Sequence, residues 1–120
     1  MTIAYWIVAG LAALAFLAAG LMKLTRPKEA LAASGLAWTE DFSQPNVRLI
    51  GTAEVLGALG LILPGLVIAP VLGPIAALAL TALMIGAISV HLRRKETFIP
   101  ALVLAVITAI AAVLGFVSLG

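Results

Sequence analysis

The chain has 120 residues, of which 64% are hydrophobic and only 10% are charged, and its mean hydropathy is +1.27. Soluble domains are about 45–50% apolar and about 25% charged, and so small a chain has too much surface to hide this much apolar material from water. The composition therefore argues against a water-soluble monomer, and the net charge of +2 argues against a nucleic-acid binder. With no cysteine and one histidine, a disulfide framework, a thiolate metal site and a zinc site are also excluded.

The distribution of charge predicts an all-α membrane protein with four transmembrane helices in one bundle. Uncharged runs cover residues 1–22, 55–90 and 97–120, and a bilayer core is spanned by roughly 20 helical residues. Prolines and glycines from Pro64 to Pro74 mark the turn inside the middle run. The predicted spans are about 3–23, 47–63, 74–92 and 98–118, in a single membrane domain of residues 1–120.

The first predicted helix is interpreted as a retained span rather than a signal peptide, because no positive charge precedes it. Tyr5 and Trp6 are expected to anchor it at the outer interface. At about 100° per residue, its small residues share one face with a lysine, which either packs inward or extends to the interface. That face consists of Tyr5, Ala9, Ala12, Phe16, Ala19, Gly20 and Lys23.

The loop after the first helix is the one sizeable segment predicted outside the membrane. Residues 27–34 are expected to form a short interfacial helix with Pro27 at its first position and Gly35 as its C-cap. A simple connector is the alternative. Trp38 and Phe42 are expected to anchor the chain at the inner interface.

The second predicted helix carries an ionisable residue within the membrane, Glu54. A charge at the centre of a span costs roughly 2.5–3.5 kcal/mol, so Glu54 marks either a functional site or a buried ion pair that fixes the helix register. Lys23 is its first predicted partner. The face predicted to pack inward consists of Gly51, Ala53, Glu54, Gly57, Ala58 and Gly60. The face predicted to meet lipid consists of Leu49, Thr52, Val55, Leu56, Leu59, Ile62 and Leu63.

The third and fourth helices are predicted to begin around Pro74 and Pro100, since proline suits a first helical turn. His91 lies at the end of the third span. It is interpreted either as a solvated interfacial histidine or as a residue of the site. The following Arg93-Arg94-Lys95 is interpreted as a topology signal that contacts lipid headgroups. In the fourth span a packing face is predicted from Ala101, Ala105, Thr108, Ala112 and Gly115.

All seven Lys and Arg residues fall on one predicted side of the membrane. The positive-inside rule makes that side cytoplasmic and places both termini outside, in a plasma or inner membrane. Lys23, Arg48, Glu54 and His91 lie toward this same side. A four-helix bundle could gather them into a ligand-binding pocket, although Arg48 does not share the face of Glu54 and lipid phosphate is its other partner.

Three segments resemble the DoxX-like family of small four-helix membrane proteins. They are Gly20-Leu-Met-Lys23, the run from Arg48 to Pro64 and the end of the third span from His91 to Glu96. The family is named for the membrane subunit of a thiosulfate:quinone oxidoreductase, and some relatives are partners of enzymes that handle oxidative or thiol stress. The resemblance implies the four-helix fold and a possible quinone ligand held by Lys23, Glu54 or His91. Small multidrug transporters, by contrast, carry their membrane glutamate in the first span.

Three functions follow from these residues. The first is a membrane subunit or redox-associated module that binds a quinone-like or lipid-like molecule around Glu54, beside an oxidoreductase partner. The alternatives are a small proton-coupled transporter that uses Glu54 and a purely structural membrane partner; a homo-oligomer fits any of them. No nucleophile–base pair or nucleotide loop marks an enzyme acting alone.

Overall fold

The computed structural model describes residues 2–66 and 70–119, with the side chains of residues 64–66 outside the description. Five α-helices and one 3₁₀ helix follow one another along these residues. They are α1 (Ile3–Thr25), α2 (Lys28–Ala33), the 3₁₀ helix (Ala37–Asp41), α3 (Gln44–Leu66), α4 (Leu72–Arg93) and α5 (Ile99–Leu119). Four of them, α1, α3, α4 and α5, are long and apolar enough to cross a membrane. The predicted all-α four-helix bundle is thereby confirmed.

The long helices form a closed ring in which α1 packs on α3, α3 on α4, α4 on α5 and α5 on α1. Small residues make these contacts possible, because they let membrane helices approach closely. A hydrogen bond between the hydroxyls of Thr81 and Thr108, at 2.8 Å, joins α4 to α5. Large aliphatic side chains such as Leu14, Leu56 and Val113 lie exposed around the outside, as expected where lipid rather than water surrounds the helices.

The faces predicted for α1 and α5 are buried, apart from Ala19, which is half-buried. In α3, Gly51, Glu54 and Ala58 are buried and the predicted lipid-facing leucines are exposed. Three assignments in α3 are wrong. Ala53 is exposed, Ile62 is half-buried against the core, and Val55 is half-buried because it packs against Gly20 of α1. The crossing with α1 thus rotates α3 slightly about its own axis, relative to the orientation that the small residues alone predict.

The segment between α1 and α3, residues 27–43, is called the connector here. Its short helix begins at Lys28, with Pro27 as N-cap and Ser34 as C-cap, and Gly35 follows at φ +111°. Glycine takes up this left-handed conformation without strain. The 3₁₀ helix, which the sequence did not predict, is tied back to α2 by the hydroxyl of Thr39, which donates to the carbonyl of Lys28 at 3.2 Å.

The turns at the two ends of the bundle differ in composition. The end that carries the connector and the turn after α4, residues 94–98, is called the charged end. At the other end, residues 67–69 lie outside the described residues, so the predicted turn is described only from Pro70, which leads into α4. There Tyr5 of α1 donates a hydrogen bond to the carbonyl of Leu61 in α3, at 2.7 Å.

Candidate functional site

A buried ion pair links α1 and α3 in the half of the bundle nearer the charged end. The Nζ of Lys23 lies 2.6 Å from Oε1 of Glu54, and the two side chains are 7% and 3% exposed. Lys23 is therefore the partner of Glu54, as the sequence predicted, and it does not extend to the interface. Removing one partner of a pair this close and this buried would leave the other without a compensating charge.

The pair is brought together by a close crossing of two glycines. A Cβ added at Gly20 of α1 would lie 2.6 Å from the carbonyl oxygen of Gly51 in α3. A Cβ added at Gly51 would lie 2.8 Å from Cβ of Lys23. Lys23 and Glu54 each follow their glycine by three residues, which places them on the same face one turn further along. The local sequence therefore positions the charges through the contact of the two backbones.

Both members of the pair keep hydrogen-bonding capacity. An ammonium offers three donors and a carboxylate two acceptor oxygens. Within the described part of the chain, Lys23 donates to Oε1 of Glu54, and nothing donates to Oε2. Oε2 is also not among the polar atoms sealed from solvent without a partner. The pair can therefore bind a further group that both accepts and donates hydrogen bonds.

The pair lines a cavity of about 460 Å³ in the interior of the bundle. This volume lies within the range typical of small-molecule sites. The cavity is walled by α1, the connector, α3, α4 and the first turns of α5. Its lining residues are Ala19, Lys23, Leu36, Trp38, Phe42, Ile50, Glu54, Ala82, Leu83, Met84, Gly86, Ala87, Val90, His91, Pro100, Ala101 and Leu104.

Two aromatic side chains of the connector cover the cavity at the charged end. The Trp38 ring lies 5.6 Å from the Nζ of Lys23, within reach of a cation–π interaction. Phe42 meets Trp38 edge to face, with ring centroids 5.4 Å apart. The sequence predicts these residues as interfacial anchors, and the structure shows that they also line the cavity, because the 3₁₀ helix turns this part of the connector over the bundle.

His91 lines the cavity next to a cluster of charges. Its Nδ1 lies 2.8 Å from Oε1 of Glu96, and Arg94 contacts Asp41 of the connector at 2.6 Å and Glu96 at 3.3 Å. Hydrogen bonds from His91 and then Arg94 lower the pKa of Glu96, and hydrogen bonds to Asp41 and Glu96 raise the pKa of Arg94. This cluster ties the connector to the turn between α4 and α5.

The model of the DoxX-like family matches residues 7–115 of this sequence. The chain belongs to the DoxX-like family. The match includes most of each long helix and all the residues that line the cavity, which confirms the resemblance drawn from the sequence motifs. No match was found among curated proteins or among solved structures. This DoxX-like chain is a multi-pass membrane protein whose helices contact the lipid bilayer.

Of the four site residues predicted in this DoxX-like protein, three line the cavity and one does not. Lys23, Glu54 and His91 lie in its wall. Arg48 is exposed on α3 and contributes nothing to the lining, because it lies on a different face of the helix from Glu54. The sequence patterns did not identify Trp38 and Asp41 as parts of the site. The sequence indicated that Trp38 is interfacial and that Asp41 is charged. Contacts between two separate loops, however, leave no periodic pattern in a sequence.

Proposed function

We propose that this DoxX-like protein binds the headgroup of a quinone-like or lipid-like molecule at the Lys23–Glu54 pair, as the membrane subunit or redox-associated module of a larger system. One observation carries the proposal: a buried ion pair with unused donors and an unused acceptor faces a cavity of small-molecule size. Burial of charge in a membrane helix is costly and favours a functional role.

The chemistry of the pair suits both redox states of a quinone. A quinone carbonyl accepts a hydrogen bond, which Lys23 can donate, and the hydroxyl of a quinol donates one, which Oε2 of Glu54 can accept. Trp38 offers an aromatic surface beside the pair. The quinone supplies the redox chemistry when it is bound, and these side chains bind and orient its headgroup.

An oxidoreductase partner subunit is part of the proposal. The chain has no cysteine, so any thiol chemistry belongs to the partner. Purification in mild detergent, followed by mass spectrometry of proteins and small molecules, should recover an oxidoreductase together with a quinone. Recovery of the chain alone, as a homo-oligomer without small molecules, would contradict this part of the proposal.

The proposed orientation places the charged end in the cytoplasm and both termini outside, with residues 1–120 as one domain in the plasma or inner membrane. Its support is the collection of all seven cations toward one end. Reporter fusions after Gly65 and at the C-terminus should both give an outer-side signal. A cytoplasmic signal from either fusion would overturn the orientation.

Binding can be measured through a tryptophan that lies at the site. The chain has two tryptophans, and Trp6→Phe leaves Trp38 as the only tryptophan, which can be excited selectively over tyrosine. In this background, decylubiquinone should quench the fluorescence saturably. Quenching that rises linearly, as in free collision, would refute the proposed site.

Two variants then connect binding to the ion pair. The double variant Lys23→Met/Glu54→Gln removes both charges together and should abolish saturable quenching. Arg48→Met is the matched control, since it removes a cation that is exposed and outside the cavity, and it should bind as the parent does. Binding by the double variant would show that the pair does not hold the ligand.

A further inference from the structure

The interface between α3 and α4 is packed in one half and open in the other. Away from the charged end, a Cβ added at Gly57 would lie 2.5 Å from Cδ2 of Leu80, and a Cβ at Gly60 would lie 3.0 Å from Cβ of Ala76. The contact that lies further along α3 is made to a residue that lies earlier in α4, so the two helices are antiparallel. The same register, continued toward the charged end, places Glu54 opposite Leu83.

Beyond that point the cavity takes the place of direct packing. Ile50 and Glu54 of α3, and Leu83, Ala87 and Val90 of α4, all line it. Side chains that would continue the interface therefore face an open space. The two helices therefore contact each other directly at one end of their interface, and at the other end the cavity lies between their side chains.

This space reaches the outer surface of the bundle along α4. Ala82 and Gly86 line the cavity and are also exposed, and a Cβ added at Gly86 meets no atom within 4 Å. Both lie in the interior of a helix that crosses the membrane, on the same exposed stripe as Leu78 and Ile85, so this stripe faces lipid. We name the opening flanked by Ile50, Ala82, Gly86 and Val90 the lateral gap.

The other direct route to the cavity is covered. At the charged end, the connector places Trp38 and Phe42 over the site, and the ion pair of Asp41 with Arg94 at 2.6 Å fastens it to the end of α4. The remaining exposed lining residue, Pro100, lies in the first turn of α5, at the level of this cover. Along the membrane-facing side, the lateral gap leads to the ion pair.

We propose that the ligand enters from the membrane through the lateral gap and leaves its apolar tail between α3 and α4 while its headgroup contacts Lys23 and Glu54. This inference rests on the ligand-binding function proposed above and specifies the ligand class. The site selects molecules that join a hydrogen-bonding headgroup to a long apolar tail, and it discriminates against a compact headgroup alone. Glycine at position 86 leaves room for the tail.

The test compares two glycines that have equally open surroundings. A Cβ added at Gly10 of α1 also meets no atom within 4 Å, but Gly10 lies in a separate apolar groove lined by α1 and α3 residues such as Leu14 and Leu59. Gly86→Phe places a ring in the lateral gap, and Gly10→Phe places the same ring elsewhere on the lipid-facing surface. The probes are decylubiquinone and the same quinone without its tail, with Trp38 fluorescence as the readout.

In Gly86→Phe, the affinity for decylubiquinone should fall by about tenfold or more, because the ring occupies the space of the tail. The affinity for the tail-free quinone should stay within about twofold, and Gly10→Phe should change neither. Equal binding of decylubiquinone by Gly86→Phe and the parent would overturn the lateral gap while leaving the proposed function standing. If the parent binds neither quinone, the proposed function fails, and the inference fails with it. A thermal melt of each variant checks that both remain folded.

Discussion

The Lys23–Glu54 pair allows a quantitative test of what the buried charges do. The atoms are 2.6 Å apart and the residues are 6% and 2% exposed. Removing one partner of a buried pair costs about 3–5 kcal/mol, since the other charge is left without compensation. Glu54→Gln and Lys23→Met should therefore each lower the free energy of unfolding by this amount.

The double variant should be far more stable than the sum of the two losses. Replacing both charges by uncharged residues of similar volume is often neutral, and the new amide loses at most about 1–3 kcal/mol if it lacks a partner. We therefore expect a coupling energy of at least about 3 kcal/mol between the two positions.

Reversible unfolding in mixed micelles of mild detergent and SDS, followed by circular dichroism, measures all four proteins of this cycle. Arg48→Met is the control, and it should change stability by no more than about 0.5 kcal/mol because Arg48 is exposed. If the double variant loses as much free energy of unfolding as the two single variants together, the two charges do not depend on each other and the reasoning is refuted. A double variant that recovers stability but not quinone binding identifies a functional pair; one that recovers both identifies a structural pair.

Three further predictions concern packing, backbone and pH. Gly57→Leu should destabilise the bundle by about 1–3 kcal/mol through overpacking. Leu56→Ala, on the lipid-facing side and 63% exposed, should cost less stability. The reverse order of the two losses in thermal melts would contradict the assigned faces. Lys95 has φ +55°, so Lys95→Gly should raise stability by about 1 kcal/mol, and a lower melting temperature would contradict this. The pKa of Glu96 is lowered from 4.5 in the folded protein, so its stabilising effect is complete above that value and is lost as pH falls through the lower folded pKa. The stability gap between the parent and Glu96→Gln should therefore close in acid; a gap that does not change with pH would refute the role of this carboxylate.

The sequence predicted the helices and their buried faces because both depend on local periodicity. The buried residues of α1, from Tyr5 to Lys23, recur at helical spacing, and the charged residue at each glycine crossing stands three positions further along. The same helical periodicity predicted the pairing of Lys23 with Glu54. Lys23 ends the small-residue face of α1, and Glu54 lies near the centre of the small-residue face of α3. Helical geometry sufficed for these features.

The cover of the cavity could not be predicted in this way. Trp38 lies over the site because the connector folds back on itself and because Asp41 reaches Arg94, which is more than fifty residues away along the chain. Neither contact is predicted by a repeat or a regular spacing in the sequence. The position of Val55 was missed for a related reason, since a hydropathy pattern does not report the angle at which two helices cross.

At the end opposite the charged end, Gly115 of α5 packs against Pro74 of α4 and against Tyr5 of α1, where an added Cβ would lie 3.0 Å from Cε2 of the tyrosine. The same tyrosine is hydrogen-bonded to the carbonyl of Leu61, so four helices meet through rigid contacts that leave no room for a methyl group. Beyond the glycine crossing of α1 and α3, the connector and the end of α4 are joined at the charged end by ion pairs on long side chains, which can lengthen and re-form without steric cost. The bundle therefore has a stiff end and a compliant one. Because the glycine crossing also holds α3 against α1, a movement that widens the cavity has its fulcrum beside Tyr5 and displaces α4, increasingly toward the charged end.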